Sequence, residues 1–569
     1  MNKLIIPFLF ISNILFSQNN SIPHLGKSGT ATQLIVNDKP FLILGGELHN
    51  SSTSTADYMR PIWEQLKKKN LNTAVAPVYW ELVEPLEGVF DFSLVDSMIT
   101  GVRQQNMKLV ILWFGTWKNG YSTYVPGWVK HNTDKYPLAK DKNGKSLLQL
   151  SAFGEETMKA DARAFKALMK HIRDFDEKEQ TVIMAQIENE VGLFYTARDY
   201  TGDKLYKSEV PSDLLNYLKN NKIQPEIEKA WKANGSKTGG RWEEVFGKSD
   251  TNTVDWKNLT YLTEELFTVY YYAHYIGAVA AAGKSEYPIP MYVNAWIKQP
   301  GLSYPGRYPS GGPVPHTLDV WRVAAPSIDM IAPDIYIPDA ISVIETYRRP
   351  GNSVFVPEIR QDRNAAFEAM YAFGEQDILG ISSFGIDDMT PEQAPIRPAY
   401  AALSKVKDAI LKYRGTGKMI GLLLDSLHPT RQFDLGSYKI TADIGRSAVD
   451  FSLIFVGIPS KEPKTDLAAG IIINIGPDEF ILVGKDFHLS LKQSTANSAL
   501  PLLDVEFMEE GSFINGEWKA TRRLNGDESF GSMGGDAGFG FKSDPTIATV
   551  VFPPSDKFNV LRFKIVKYK

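Results

Sequence analysis

The sequence feature that most constrains the fold is a repeated alternation of short β-like and longer helix-like segments. From about residue 33 to 412, runs rich in β-branched and aromatic residues alternate with stretches of helical periodicity. Such repeated strand–helix units predict a parallel (β/α)8 TIM barrel, an α/β fold, over residues 33–412. The eight predicted strands are Phe41–Glu47, Thr73–Tyr79, Leu109–Phe114, Thr181–Glu188, Ile289–Ala295, Met330–Ile335, Ser353–Glu358 and Ile378–Phe384.

The sequence changes character after about residue 415. Helical periodicity fades, and short strand-like runs such as Gly470–Ile475 and Val560–Val566 appear between Gly, Pro, Asp and Asn residues. This pattern predicts a C-terminal all-β, sandwich-like domain over residues 415–569.

The composition excludes several classes of function. The 62 Lys and Arg residues nearly balance the 66 Asp and Glu residues, which leaves a net charge of −4 and gives no electrostatic footprint for nucleic acid. There is no cysteine, so disulfides, thiolate chemistry and cysteine-based zinc sites are excluded. The eight histidines form no paired metal-binding motif. We therefore predict no metal site and no cofactor.

The N-terminus has the pattern of a secretory signal peptide. Lys3 precedes the mostly apolar run Leu4–Phe16, and the small residue Ser17 follows this run. The run is shorter than the roughly 20 residues needed to span a bilayer. We therefore expect residues 1–17 to be a signal peptide, the protein to be exported to a bacterial periplasm or medium, and no membrane span.

Carboxylates follow two of the predicted strands. Glu188, Asn189 and Glu190 stand at the end of strand four, and Glu358 stands at the end of strand seven. Catalytic groups of such barrels lie at the carboxyl ends of strands, and a facing pair of carboxyl groups suits glycosidic cleavage. We predict Glu190 as the acid/base, Glu358 as the nucleophile, and Asn189 as a hydrogen-bonding partner of the sugar.

Other strand-end residues are candidate substrate contacts. Glu188 either contacts the sugar or supports a neighbouring side chain. Aromatic planes pack on the C–H faces of sugars, although aromatic residues also pack in cores. We predict substrate contacts for Tyr79, Trp113, Trp296 and Tyr336, with Trp296 and Tyr336 the better placed.

Three motifs resemble a known family. They are Leu-Gly-Gly-Glu-Leu-His at 44–49, the segment from Asn72 to Phe92, and Gln-Ile-Glu-Asn-Glu-Val-Gly at 186–192. Over residues 33–412 the chain resembles glycoside hydrolase family 35 of clan A, the β-galactosidase family. The resemblance implies a retaining exo-β-glycosidase that releases terminal β-linked galactose from an oligo- or polysaccharide.

The sequence also departs from the family pattern. Pro77 stands where the family has a sugar-contacting tyrosine, and Gly115-Thr116-Trp117 replaces Ala-Glu-Trp. Glu358 lies in Pro-Glu-Ile-Arg rather than Thr-Glu-Phe. Two alternatives follow: another clan A β-glycosidase, such as the family 42 type, or a non-catalytic carbohydrate-binding protein on a degenerate barrel.

Overall fold

The computed structural model describes residues 21–248, 262–302, 304–445, 466–494, 501–524, 544–553 and 555–568. The predicted signal peptide, residues 1–17, lies outside the described residues. The described chain begins with a small antiparallel sheet made of the strands His24–Ser28, Ala31–Val36 and Lys39–Phe41. The sheet is tied to the chain after the last barrel helix, because Thr30 N donates a hydrogen bond to the Gly415 carbonyl at 3.1 Å.

Eight parallel strands then form a closed barrel, which confirms the predicted (β/α)8 fold. Neighbours along the chain pair with each other, and the last strand pairs with the first. The strands are fully or almost fully buried, as expected where side chains fill the interior and helices cover the outside. In chain order they are β1 Ile43–Glu47, β2 Thr73–Tyr79, β3 Lys108–Lys118, β4 Val182–Asn189, β5 Met291–Trp296, β6 Met330–Ile335, β7 Phe355–Ile359 and β8 Gly380–Phe384.

Helices connect the barrel strands and cover them. Ala56–Met59 and Ile62–Lys68 follow β1, and Trp80–Val83 and Ser93–Gln104 follow β2. Gly127–Lys130 and Glu155–Asp176 follow β3. The long connection after β4 contains Asp203–Tyr206, Ser212–Asn220, Pro225–Ala233, Trp242–Phe246 and Leu262–Lys284. Single helices follow the remaining strands: Leu318–Ala324, Ala340–Tyr347, Arg363–Glu375 and Arg397–Tyr413.

The helix Glu155–Asp176 illustrates how the sequence determines these elements. Glu155 and Glu156 lie in its first turn, where negative charge is favourable next to the free backbone N–H groups. Its buried residues recur at helical spacing along one face, so the helix packs that stripe against the barrel. They include Ala160, Ala164, Phe165, Leu168, Met169 and Ile172.

The C-terminal region is an antiparallel β-sandwich, as predicted. In spatial order, one sheet comprises Met419–Asp425, Leu467–Gly476, Glu479–Lys485, Asn559–Tyr568, Leu502–Ile514 and Glu517–Arg523. The other comprises Thr430–Leu435, Tyr438–Ile444, Phe487–Gln493 and Ile547–Val551. Side chains from both sheets, among them Leu482 and Leu489, share one hydrophobic core.

The sandwich packs against the barrel helices that follow β7 and β8. The rings of Phe367 and Phe558 lie 5.3 Å apart, and Arg431 donates a hydrogen bond to Glu375 at 2.8 Å. In the described part of the chain, none of the helices is both long enough and apolar enough to cross a bilayer.

Candidate active site

The end of β4 has an unusual backbone. Glu188 and Glu190, on either side of Asn189, have φ angles of 59° and 44°. A residue other than glycine in this left-handed region costs of the order of 1 kcal/mol, and such strain concentrates at functional sites. The backbone N–H of Glu190 donates to Asn294 Oδ1 at 2.9 Å, which holds the turn in place.

A cavity of about 350 Å³ opens at the carboxyl ends of the strands. Barrel enzymes bind their substrates at this end. The cavity has a mixed polar and aromatic lining, which suits a ligand with both hydroxyl groups and C–H faces. The lining residues are Asn50, Lys118, Asn119, Glu190, Trp296, Ile297, Gln299, Asp334, Tyr336, Glu358 and Phe384.

The structure brings Glu190 and Glu358 together in this cavity. One carboxyl oxygen from each, together with one from Asp334, all lie within 4.8 Å of one another. Retaining glycosidases place their two carboxyl groups about 5–5.5 Å apart, whereas inverting enzymes need about 6.5–9.5 Å to admit a water molecule. An approach of the nearest oxygens within 4.8 Å fits the shorter, retaining separation.

Glu358 is surrounded by hydrogen-bond donors. The Tyr336 hydroxyl donates to Glu358 Oε2 at 2.5 Å. The side-chain amides of Asn189 and Asn294 make longer contacts with Oε1, at 3.4 and 3.5 Å. Neutral donors stabilise the ionised form of a carboxyl group, which is the form a nucleophile needs.

Glu190 is in the opposite electrostatic situation. Burial and the nearby negative charge of Glu358 raise the pKa of Glu190 to about 8, against the opposing effect of Lys118. Glu190 is therefore protonated at neutral pH, as a general acid must be. The two carboxyl groups thus have different environments that suit different roles.

Two further carboxyl groups, from Glu47 and Asp334, lie beside the pair. Burial first, and the charge of Glu358 second, raise the pKa values of both well above the usual range. Both Glu47 oxygens are buried, and neither has a hydrogen-bond partner among the described residues. Burial without a donor favours the neutral, protonated form of Glu47.

Lys118 orients the amide of Asn189. It is the last residue of β3, and its Nζ donates to Asn189 Oδ1 at 2.9 Å and to Asn119 Oδ1. Because Oδ1 of Asn189 accepts from a cation, Nδ2 is directed towards Glu358. Asn189 is fully buried, and its contact within the site is the one that its Nδ2 makes with Glu358 Oε1.

The suggestion that Glu188 contacts the sugar is corrected by the structure, and its supporting role fits. Its carboxyl group accepts the backbone N–H groups of Thr116 and Trp117 at 3.0 and 2.6 Å, away from the cavity. Burial and then the charge of Asp161 raise its pKa. At Gly115, a Cβ atom would lie only 2.7 Å from Glu188 Oε1, so a glycine is required for this approach.

The predicted sugar contacts of Tyr79 and Trp113 are also corrected. The Tyr79 side chain is 4% exposed, and its hydroxyl accepts from Thr53 at 3.0 Å. Trp113 is fully buried and donates from Nε1 to Asp161 at 2.8 Å. Both rings pack inside the protein, as strand residues of a barrel commonly do. Trp296 and Tyr336, by contrast, line the cavity.

Among the described residues, Glu190, Asp334 and Glu358 have carboxyl oxygens close enough together to hold a cation. A hard divalent ion takes about six or more oxygen ligands, many of them ionised carboxylates. Here burial favours the neutral forms of Glu190 and Asp334, and Lys118 adds a positive charge. The donor set is therefore a poor match for a divalent metal.

Sequence reasoning missed four residues of the site: Glu47, Lys118, Asn294 and Asp334. Each is a polar residue at or near the carboxyl end of a barrel strand. Their position could have identified them as site residues, because a polar side chain buried on an otherwise apolar strand is costly unless it is used or paired.

Two family models match parts of this chain. Residues 33–269 match the family model described as glycosyl hydrolases family 35, which covers β1 to β4 and includes Glu190 but not Glu358. Residues 396–533 match a domain of unknown function, DUF5597.

Curated relatives match over part of their length. A beta-galactosidase of Xanthomonas manihotis is 25% identical over 191 residues, which are 32% of this chain and 29% of that protein. Beta-galactosidase 11 of Arabidopsis thaliana is 27% identical over 192 residues, 33% of this chain and 21% of that protein. The matches thus span less than a third of the length of these relatives.

Solved structures also resemble the chain at low identity. The beta-galactosidase from Rahnella sp. R3 has 16% identity and a TM-score of 0.44, with 66% of this chain and 57% of that chain covered. The beta-galactosidase from Marinomonas ef1 has 13% identity and a TM-score of 0.45, with 66% and 63% covered. Residues 33–269 are thus similar to glycosyl hydrolases family 35, and residues 396–533 are similar to the DUF5597 domain.

Proposed function

We propose that this protein is a retaining exo-β-glycosidase with Glu190 as acid/base and Glu358 as nucleophile. The observation that carries the proposal is the close approach of these two carboxyl groups, within 4.8 Å, in one cavity. The raised pKa of Glu190, about 8, and the donors around Glu358 support the division of roles.

The proposed reaction has two steps. Glu358 attacks the anomeric carbon, the bond to the leaving oxygen breaks, and Glu190 gives its proton to that oxygen. A water molecule then attacks the same carbon, Glu190 accepts its proton, and the bond to Glu358 breaks. Tyr336 donates to Glu358 before attack and so holds the carboxylate in position.

Galactose is the proposed sugar, because the family match and the names of the curated relatives favour it. One observation favours a second candidate, another β-linked sugar. Thr116 stands where the family has a sugar-binding glutamate. Its hydroxyl donates to Asp161 at 2.7 Å, so it does not replace the glutamate's contact with the sugar.

A panel of nitrophenyl β-glycosides tests the activity and the sugar together. The panel comprises the galactoside, glucoside, glucosaminide, fucoside and arabinoside. Release from the galactoside above the others supports galactose, and faster release from another sugar supports the second candidate. No release from any of them would contradict the proposal and favour a non-catalytic carbohydrate-binding protein.

Variants test the two roles. We expect Glu358→Gln to abolish turnover and Glu190→Gln to lower it by about 100-fold or more. Glu155→Gln, on the exposed start of a helix, is the matched control. Azide should rescue a Glu358→Gly variant to the α-glycosyl azide and a Glu190→Gly variant to the β-anomer. Full activity of either glutamine variant would refute its assignment.

We also propose that the protein is exported. The support is the pattern of Lys3, the apolar run Leu4–Phe16 and Ser17. N-terminal sequencing of protein recovered from the periplasm or medium of a bacterial culture should give a start just after Ser17. Recovery of the uncleaved chain in the cytoplasm would contradict this proposal.

A further inference from the structure

A run of aromatic rings leads out of the catalytic cavity. Trp296 lines the cavity, and Phe194 packs edge to face against it with ring centroids 5.5 Å apart. Phe194 also stacks on Tyr121 at 5.8 Å, and the Tyr121 and Tyr195 hydroxyls lie 3.0 Å apart. We call Tyr121, Phe194, Tyr195 and Trp296 the aromatic ledge. Of these four residues, Trp296 lines the cavity, and ring contacts connect it through Phe194 to Tyr121 and Tyr195.

The exposed position of the Tyr195 side chain is not explained by packing in the core. Its side chain is 78% exposed, and its φ angle of 70° lies in the left-handed region. An exposed ring contributes little to a core, and this backbone conformation is unfavourable for a residue other than glycine. The backbone N–H of Tyr195 donates to the Gly306 carbonyl at 2.9 Å, so the ring is held in a defined position. Strained residues cluster at functional sites, and an exposed aromatic ring offers a plane on which a sugar can stack.

A second depression, of about 450 Å³, begins at Tyr195. Its lining combines aromatic rings with donors and acceptors of both charges, including Lys142, Tyr200, Glu264 and Arg307. Its volume is within the range of ligand sites, and this combination suits a chain of sugar units, which offers C–H faces and hydroxyl groups in turn. Ledge and depression together extend the binding surface well beyond a single sugar.

The ledge adjoins the proposed acid, because Trp296 and Glu190 both line the cavity. Phe194 and Tyr195 follow Glu190 by four and five residues, and Tyr121 follows Lys118, whose backbone N–H it accepts at 2.8 Å. The acid must face the leaving oxygen, so the surface that continues from it receives the leaving group.

We propose that the aromatic ledge and the depression beyond it bind the leaving-group part of a β-linked oligo- or polysaccharide, with a sugar ring stacked on Tyr195. This inference rests on the proposed glycosidase function and deepens it. The preferred substrate would then be a carbohydrate chain of several units rather than a glycoside with a small leaving group.

The test compares two substrates that share the same terminal sugar. A glycosyl fluoride has no leaving group that could reach the ledge, whereas a β-linked tetrasaccharide spans it. For Tyr195→Ala, we expect the ratio of kcat/KM for the tetrasaccharide to kcat/KM for the fluoride to fall about tenfold, because one stacking contact is lost. Tyr195→Phe keeps the ring and should largely keep the ratio. Tyr568→Ala, at an exposed tyrosine of the C-terminal strand, is the matched control.

Direct binding gives an independent readout. Calorimetry with the Glu358→Gln variant should show weaker tetrasaccharide binding when Tyr195→Ala is added. An unchanged ratio and unchanged binding, or equal losses on both substrates, would overturn the inference. If the unmodified protein hydrolyses neither substrate, the proposed function fails, and the leaving-group site fails with it.

Discussion

Glu190 gives the site its clearest pH signature. Its pKa is raised to about 8 by burial and by the charge of Glu358, and it must be protonated to act as an acid. We therefore expect kcat/KM to fall as pH rises through about 8, by about tenfold per pH unit beyond it. A profile measured from pH 5 to 10 checks this. This fall in kcat/KM at high pH should be absent in Glu190→Gln. If it persists in that variant, another group is responsible for it.

Glu47 tests the idea that a neutral acid supports the nucleophile. Glutamine imitates a protonated glutamate, so Glu47→Gln should retain kcat/KM within about tenfold, whereas Glu47→Ala should lose about 100-fold. Kinetics on the preferred nitrophenyl glycoside distinguish the two. If the glutamine variant is as inactive as the alanine variant, Glu47 acts in its ionised form instead.

Glu47 also has a consequence for stability. Its pKa in the folded protein is raised above the unfolded value of 4.5, so its stabilising contribution is full below that pH and is lost as pH rises. Glutamine does not titrate, so Glu47→Gln should remove this pH-dependent loss of unfolding free energy, which is up to about 1.4 kcal/mol per pH unit. Thermal melts should show little difference from the parent near pH 4.5 and a more stable variant at pH 8. A difference independent of pH would contradict this.

At the scale of elements, the strands were predictable and their ends were not. The apolar run Leu109–Phe114 predicted that β3 would end at Phe114. The strand continues to Lys118, because Gly115 leaves room for the Glu188 carboxyl group to bind the strand's last N–H groups. This extension brings Lys118 into the site, which the sequence pattern did not indicate.

The roles of individual strand-end residues were also only partly predictable. Glu190 was predicted from its motif and from the barrel rule, and Glu358 was predicted mainly from the barrel rule. The structure brings both residues to one cavity. Glu188 was ambiguous because its direction depends on a backbone φ of 59°, which pattern reasoning does not reveal. Tyr79 and Trp113 were misplaced because aromatic residues favour both cores and sugar sites.

The end of β3 can be tested through its glycine. In Gly115→Ala, the added Cβ would lie 2.4 Å from Trp113 Nε1 and 2.7 Å from Glu188 Oε1, all in buried surroundings. We expect a loss of about 1–3 kcal/mol of stability from overpacking, together with reduced activity through displaced Lys118. Thermal unfolding and kcat measure both. Gly239→Ala, where a Cβ meets no atom within 4 Å, is the control. An equally stable and active Gly115→Ala would contradict the packing argument.

At the scale of the molecule, the sandwich packs against the helix that follows β7, the strand that carries Glu358. The helix after β7, Arg363–Glu375, contacts it through Phe367 and Glu375. Glu375 accepts hydrogen bonds from Arg431 and from the Gly421 backbone N–H, at 2.8 and 3.0 Å. The sequence predicted both domains, but the contact between them depends on side chains that no local pattern pairs.

We expect Glu375→Ala to weaken this contact. Hydrogen bonds to charged groups contribute about 1.5–3 kcal/mol, and partial exposure places the loss near the lower figure. Calorimetry should show a lower or split unfolding transition. Glu64→Ala, which removes an exposed ion pair with Lys68, should leave the unfolding transition almost unchanged. Identical behaviour of the two variants would contradict a bracing role.

The central claim is that Glu358 forms a covalent bond with the sugar. A 2-fluoro glycoside of the preferred sugar, with a good leaving group, should slow release enough to trap this intermediate. Mass spectrometry of the intact protein and of its peptic peptides should then find one sugar per chain, attached to Glu358, with no adduct in Glu358→Gln. Attachment at another carboxylate, or no adduct together with a product of inverted configuration, would contradict the claim.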